Sequence, residues 1–270
     1  MIFSPKTHLM KLSKFSINLL FLPVSSSTFE QLKNQIEILL KEHETPSARA
    51  LTKADMAVMN NYGCWCYFEE NIFKGHGQPQ DEVDGFCKIL NDGYNCIYID
   101  GIQDLDTSTS CDPTTVQYNS IFNGLNVYSM EEETIASECL RRNPDNLCSS
   151  STCAVESLFI KSYMKYAVGG GTFDTSLKHE NGFDSQGTCA HLPPKSTEII
   201  ESNSLESTDV TNTSQTSKTA QTAERSCCGQ YPKRYPFHTY NGDRACCVNK
   251  TYNSILNQCC EDGSVSVSCL

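Results

Sequence analysis

The sequence predicts a mainly α-helical, disulfide-rich protein with a helical domain and a small cysteine-rich C-terminal module. Three observations support this fold class. The 270 residues include 16 cysteines, several of them in adjacent pairs, which is typical of an extracellular chain framed by disulfides. Apolar residues recur at helical spacing in the N-terminal half. A Ser/Thr-rich stretch separates residues 226–270 from the rest of the chain.

Composition excludes some classes of function. The formal net charge is −11 and no basic stripe is present, so the sequence predicts no nucleic-acid partner. The same charge opposes electrostatic capture by anionic lipid, so membrane contact is expected to be hydrophobic or bridged by calcium. Zinc is disfavoured as the reason for clustered cysteines, because no Cys-x-x-Cys pair is matched by a second pair at finger spacing.

The first 27 residues have the pattern of a secretory signal. Lys11 and Lys14 precede an apolar run over 15–24, and small residues follow at 25–27. The run is too short to span a bilayer. We therefore predict a signal peptide at 1–27 and a secreted protein; a buried amphipathic helix is the alternative.

Two helical patterns follow the predicted signal. The first extends from Thr28 to about His43, and a second, shorter pattern covers 51–60. The apolar residues that recur in the first pattern are Phe29, Leu32, Ile36, Leu39 and Leu40.

The stretch from Tyr62 to Cys96 carries the most specific motifs of the chain. It begins with Tyr62-Gly63-Cys64-Trp65-Cys66, continues through a loop with Gly75 and Gly77, and ends in a helical segment that contains Asn91-Asp92. This order of features resembles the secreted phospholipase A2 family. The resemblance extends over about 51–166, and it implies a phospholipase A2-like domain at 28–194. It also implies that one of the two helical patterns lines the entrance to a lipid channel; the alternative is that both helices simply cover the core.

The resemblance implies one calcium ion as cofactor. Calcium binds six to eight oxygen ligands at about 2.3–2.6 Å. The family's pattern assigns these to the backbone carbonyls of Trp65, Gly75 and Gly77 and to the carboxylate of Asp92. Residues 67–74 separate Cys66 from the glycines here, whereas the family has its glycine directly after the cysteine.

Asn91 stands where the family has its catalytic histidine. An amide has no basic lone pair near neutral pH, so it cannot accept a proton from the attacking water. Loss of a general base typically costs about 10² to 10⁴ in rate. We expect hydrolysis to be absent or vestigial, unless the register is off by one residue or His76 replaces the missing base.

Glu156 stands where the family has the aspartate that orients the histidine. It follows Cys148 and Cys153, whose spacing matches the family's second disulfide-linked helix. The alternative is an ordinary, partly buried acid on an amphipathic helix. A cysteine pair that joins the family's two helices is replaced together, by Tyr94 and Val155.

The C-terminal part is expected to be a linker and a separate module. Of the 31 residues at 195–225, 13 are Ser or Thr, and none is aromatic or cysteine. Residues 226–270 contain seven cysteines and form the predicted module. Asn212 and Asn249 are formal glycosylation acceptors. Because nine cysteines precede the linker, either one disulfide joins the two parts or each part keeps a thiol.

Three functions are therefore expected, in order of preference. The first is a secreted phospholipase A2-like protein that binds calcium and phospholipid, as a membrane surface or lipid aggregate, with sn-2 ester hydrolysis lost. The second is an active calcium-dependent phospholipase A2. The third is an extracellular matrix protein, and in each case the C-terminal module is a candidate site for an extracellular protein partner.

Overall fold

A computed structural model of the chain describes residues 28–42, 59–68, 72–104, 109–122, 130–190 and 225–269. Three predictions fall outside these ranges: the signal peptide, nearly all of the second helical pattern, and the linker apart from its last residue. The glycosylation acceptor Asn212 belongs to that linker.

Helix α1, Thr28–Glu42, confirms the first helical pattern. Its side chains at 32, 36 and 39 are buried, which is the spacing of one helix face. Helix α2 is Glu82–Ile99, and Asp81 is its N-cap. The carboxylate of Asp81 accepts a hydrogen bond from the backbone N–H of Asp84. Along the chain, the motif-rich loop region lies between these two helices.

Helices α3, Glu132–Arg142, and α4, Leu147–Val168, complete the helical part. Most of α4 is buried, because α1, α2 and α3 all pack against it. Helices α2 and α4 approach each other closely at Gly93, where an added Cβ would lie 2.6 Å from a methyl group of Val155. A side chain larger than hydrogen at Gly93 would force these helices apart.

The rest of the helical part is irregular. Strands β1, Gln103–Asp104, and β2, Thr109–Ser110, form a short antiparallel pair. Two 3-10 turns, Thr175–Leu177 and His179–Asn181, precede the short helix α5, Ser185–Thr188.

Residues 225–269 fold as strands and turns. Three antiparallel hairpins follow one another: β3, Arg225–Cys228, with β4, Tyr235–His238; β5, Arg244–Cys247, with β6, Lys250–Asn253; and β7, Gln258–Cys259, with β8, Val265–Ser266. The fold is therefore disulfide-rich with a helical part and a small C-terminal strand region. No pattern in the sequence predicted these strands.

Eight disulfides pair all sixteen cysteines. The pairs are Cys64–Cys189, Cys66–Cys87, Cys96–Cys227, Cys111–Cys148, Cys139–Cys153, Cys228–Cys246, Cys247–Cys259 and Cys260–Cys269. The bond between Cys96 and Cys227 joins the helical part to the strand region. Of the two alternatives for the odd cysteine numbers, the connecting disulfide is confirmed.

This disulfide density is typical of extracellular proteins. Among the helices in the described ranges, none has both the length and the apolar character that a bilayer span requires.

Candidate functional site

A cleft of about 370 Å³ lies between helix α2, the glycine loop and the first C-terminal hairpin. Helix α2 lines it with four residues spaced as one helix face, Lys88, Asn91, Asp92 and Asn95. The hairpin contributes Arg225 from β3 and three residues of β4. The apolar lining comes from Trp65, Phe73, Pro236 and Phe237, and the remaining polar residues include His76 and His238.

Five of the six residues predicted for the site line this cleft. They are Trp65, Gly75, Gly77, Asn91 and Asp92. Glu156 does not line it and is buried in the core beside α2. His76, the alternative base, lines the cleft, and its Nδ1 lies 2.9 Å from the carbonyl oxygen of Lys74.

Asp84 holds the loop of the first motif against the start of α2. Its fully buried carboxylate accepts hydrogen bonds from the backbone N–H groups of Cys64 at 2.8 Å, Trp65 at 2.7 Å and Gln80 at 2.9 Å. Burial raises the pKa of Asp84, although these three hydrogen bonds oppose the rise. The carboxylate thereby fixes the position of Trp65 at the mouth of the cleft.

The glycine loop packs around the indole of Trp65. The indole N–H donates to the carbonyl oxygen of Gly77 at 3.1 Å, and an added Cβ on Gly75 would lie 2.5 Å from the ring. Gly77 has φ +81, and an added Cβ there would meet the carbonyl oxygen of Cys189 at 2.3 Å. Both glycines are therefore required by close packing, apart from any role as calcium ligands.

The side chain of Asn91 is buried and its hydrogen bonds are internal. Its amide N–H donates to the carbonyl oxygen of Ile72, and its amide oxygen accepts from Asn95 at 2.9 Å. Among the described residues no hydrogen bond joins Asn91 to Glu156. The pair that the resemblance predicts as base and orienting acid is therefore separated in this fold.

Asp92 forms an ion pair with Lys88, one helical turn earlier. Burial raises the pKa of Asp92, and the neighbouring Lys88 ammonium opposes that rise. The same ammonium lies 4.8 Å from the centre of the Trp65 ring, within the range of a cation–π contact. The buried carboxylate thus receives a positive counter-charge from the chain itself.

Three of the four predicted calcium ligands already contact other groups in this arrangement. Asp92 is paired with a cation, the Gly77 carbonyl accepts from an indole, and the Trp65 carbonyl accepts from the backbone N–H of Tyr67 at 2.8 Å. A calcium ion would need Lys88 to leave Asp92 before it could approach the carboxylate. The described residues also contain no cluster of three or more His, Cys, Asp or Glu side chains suited to a metal.

Glu156 belongs to a buried hydrogen-bond network that connects three helices. Tyr94 of α2 donates to one carboxylate oxygen at 2.6 Å, and Tyr118 donates to the other at 2.5 Å. Gln35 of α1 donates in turn to the hydroxyl of Tyr118. Burial raises the pKa of Glu156 to about 7, although both tyrosine hydrogen bonds act against the rise.

Four residues of the site were not assigned a role from the sequence. Lys88 could have been found, because it precedes Asp92 by four positions in a helix and such pairs interact. Asp84 could have been suspected from the acidic first turn of α2. Arg225 and His238 carried no signal, because their place at the cleft depends on the Cys96–Cys227 disulfide, and pairing is not deducible from sequence.

No family model, curated protein or solved structure matches this chain.

Proposed function

We propose that the protein is secreted, resembles phospholipase A2, and binds phospholipid in the α2 cleft without hydrolysing its sn-2 ester. The observation that carries this proposal is the position of Asn91. It lies in the cleft on the same helix face as Asp92, and both ends of its amide are occupied by internal hydrogen bonds. An amide held in this way has no means to activate a water molecule.

The lining of the cleft supports an amphiphilic ligand. Trp65, Phe73 and Phe237 offer apolar surface, while Lys88 and Arg225 offer positive charge. A phospholipid presents acyl chains beside an anionic phosphate, so both kinds of surface find a partner. Sites with mostly apolar walls and a few placed polar groups are typical for small ligands.

Active hydrolysis, the first alternative, would need another base in the cleft. His76 and His238 both line it, so either side chain is a candidate. The matrix protein alternative drew its support from the Ser/Thr-rich linker and from the odd cysteine counts of the two parts. Because all sixteen cysteines are paired within the chain, the support from the cysteines is removed.

The test compares hydrolysis of phosphatidylcholine vesicles by the parent protein and by the Asn91→His and Asn91→Gln variants. We expect no hydrolysis by the parent or by Asn91→Gln, with or without added calcium. Binding is followed in the same samples through the fluorescence of Trp65, the only tryptophan of the chain. We expect the emission of the parent to change as vesicles are added.

Hydrolysis by the parent would contradict the proposal, and a loss of that hydrolysis in His76→Ala or His238→Ala would identify the base. An unchanged Trp65 emission and no co-sedimentation with vesicles would equally overturn it. A gain of hydrolysis in Asn91→His alone would support derivation of the cleft from a catalytic one.

A further inference from the structure

We propose that the cleft holds the phosphate group of its ligand between the Lys88 ammonium and the Arg225 guanidinium, without a calcium ion. This inference rests on the proposed function and assigns the cationic groups of the same site. It places one half of the phosphate site on helix α2 and the other half on the C-terminal strand region.

Lys88 takes the place of a bound cation at Asp92. An ammonium group has three N–H donors, and the described contacts of Lys88 use one of them for the Asp92 carboxylate. The side chain lines the cleft, and about a third of its surface is exposed. Donors therefore remain for a ligand oxygen, while the charge of Asp92 is already neutralised.

Arg225, an exposed residue of the first C-terminal hairpin, supplies the second cation of the cleft lining. It is the first residue of β3 and lies directly across from His238 of β4 in the hairpin. Among the described residues no ion pair or hydrogen bond occupies its side chain. A guanidinium group can donate two parallel hydrogen bonds to a phosphate, so an unoccupied arginine in a cleft wall is well suited to that anion.

The charge of the cleft is opposite to that of the whole protein. Lys88 and Arg225 are its basic residues, and Asp92 is the one acidic residue among its described lining. The chain as a whole has a formal net charge of −11. A positive cleft in an acidic protein attracts a single anionic group into the cleft, whereas the remaining surface repels an anionic membrane.

A half-buried histidine on the same hairpin adds a further polar group. The ring of His238 lines the cleft, and its buried Nδ1 has no hydrogen-bond partner among the described residues. Buried polar atoms are normally hydrogen-bonded, so the unpaired Nδ1 of His238 requires an explanation. A ligand seated beside the ring, with a small rotation of the imidazole, would supply the partner.

The experiment titrates the parent protein with a short-chain phosphatidylcholine below its micelle concentration and reads the fluorescence of Trp65. Each titration is performed once with a chelator and once with calcium chloride. Inorganic phosphate and a short-chain diacylglycerol are titrated separately, because they carry the anion and the chains alone. The variants are Lys88→Gln and Arg225→Gln.

Two matched control variants each remove one cation outside the cleft. Lys165→Gln changes an exposed lysine of α4, and Arg244→Gln changes an exposed arginine of β5, and neither residue lines the cleft. We expect both controls to bind as the parent does. Each cleft variant should bind the lipid roughly tenfold or more weakly, as expected when a charge-assisted hydrogen bond is lost.

The response to calcium decides the inference. The parent should bind equally well with chelator and with calcium, and calcium alone should leave Trp65 emission unchanged. In Lys88→Gln the freed Asp92 should allow calcium to restore part of the binding. If the parent binds lipid only with calcium, this inference is overturned while the proposed function stands.

Further outcomes distinguish failure of the proposed function from failure of the phosphate-site inference. If no lipid binds under either condition, the proposed function itself fails. If Arg225→Gln binds as tightly as Arg244→Gln, the strand region is not part of the phosphate site and the inference fails. Binding of inorganic phosphate as tight as that of the lipid would support the anion site and identify free phosphate as a ligand.

Discussion

The buried carboxyl of Glu156 connects helices of the core through hydrogen bonds. Its two oxygens accept hydrogen bonds from Tyr94 and Tyr118, and no cation among the described residues shares its pocket. Burial without a counter-charge favours the protonated form, which explains a pKa of about 7 against an ordinary 4.5. Glu156 therefore acts as a core residue whose charge state depends on pH near neutrality.

The first prediction is a loss of stability as the pH rises from 4.5, the ordinary pKa of the Glu156 carboxyl, to about 7, its pKa in the folded protein. An acid whose pKa rises on folding binds its proton more tightly in the folded state. The protonated Glu156 should stabilise the folded state fully below about pH 4.5. This contribution to the free energy of unfolding should fall as the pH rises to about 7, and then level off. Each pKa unit corresponds to about 1.4 kcal/mol, so the rise of the Glu156 pKa from 4.5 to about 7 costs on the order of 3 kcal/mol of stability above pH 7.

Chemical denaturation across this pH range tests the prediction with Glu156→Gln. The variant should lack the fall and be more stable than the parent above pH 7, since an amide remains neutral. Glu261→Gln, an exposed site, serves as the control and should follow the parent. Parallel pH curves for the parent and Glu156→Gln would refute the assignment.

At the scale of elements, the N-terminus of α2 determines the shape of the cleft. Asp84→Asn replaces a carboxylate that accepts three backbone hydrogen bonds by an amide with one oxygen. Cys64 and Gln80 donate to one oxygen of Asp84, and Trp65 donates to the other. We expect the variant to lose about 1.5–3 kcal/mol of stability, because the backbone N–H groups on one of these two sides become unsatisfied. The emission of Trp65 should shift to longer wavelength as the loop loosens.

Asp184→Asn is the matched control, because this exposed aspartate accepts one backbone hydrogen bond, from Gly187, at the short helix α5. Thermal unfolding monitored by circular dichroism measures both variants. Equal changes in midpoint for the two variants would contradict the role assigned to Asp84.

Helices were more accessible to sequence reasoning than strands. Apolar spacing was sufficient for α1, because Leu32 and Ile36 lie on one buried face. The hairpins gave no such pattern. In β5 two adjacent cysteines form disulfides with different partners, Cys228 and Cys259. In β4 Pro236 interrupts the alternation of apolar and polar residues that predicts a strand. Cross-links rather than apolar alternation stabilise these strands, and a two-stranded hairpin tolerates proline because both strands are edges.

The same distinction applies to the site. Local spacing is sufficient to place Asn91 and Asp92 on one helix face, whereas only the family resemblance associated Trp65 with them. The internal contacts of these residues were not predictable, because they depend on how the loop closes over Asp84. The wall formed by Arg225 depends on a disulfide between residues 131 positions apart. Long-range pairing of this kind leaves no local pattern in the sequence.

At the scale of the whole molecule, the strand region is fixed to the helices at three places. Cys227 is bonded to Cys96 of α2, Arg234 donates to both oxygens of Asp100 at 2.7 and 3.0 Å, and Lys233 pairs with Glu132 of α3. The predicted separate module is thus attached directly beside the cleft. The basic cluster at 233–234 contacts the helical part, so its charges are used within the molecule.

The connecting disulfide should therefore control ligand binding as well as stability. In the double variant Cys96→Ala/Cys227→Ala, the ion pairs of Lys233 and Arg234 remain, but the β3 strand that carries Arg225 is no longer bonded to α2. We expect a stability loss of about 2–4 kcal/mol and weaker phosphatidylcholine binding, measured by Trp65 fluorescence. The control Cys260→Ala/Cys269→Ala removes a bond within the last hairpin, away from the cleft, and should retain the affinity of the parent. Unchanged lipid affinity in a folded Cys96→Ala/Cys227→Ala protein would show that the cleft does not need this bond to hold its second wall.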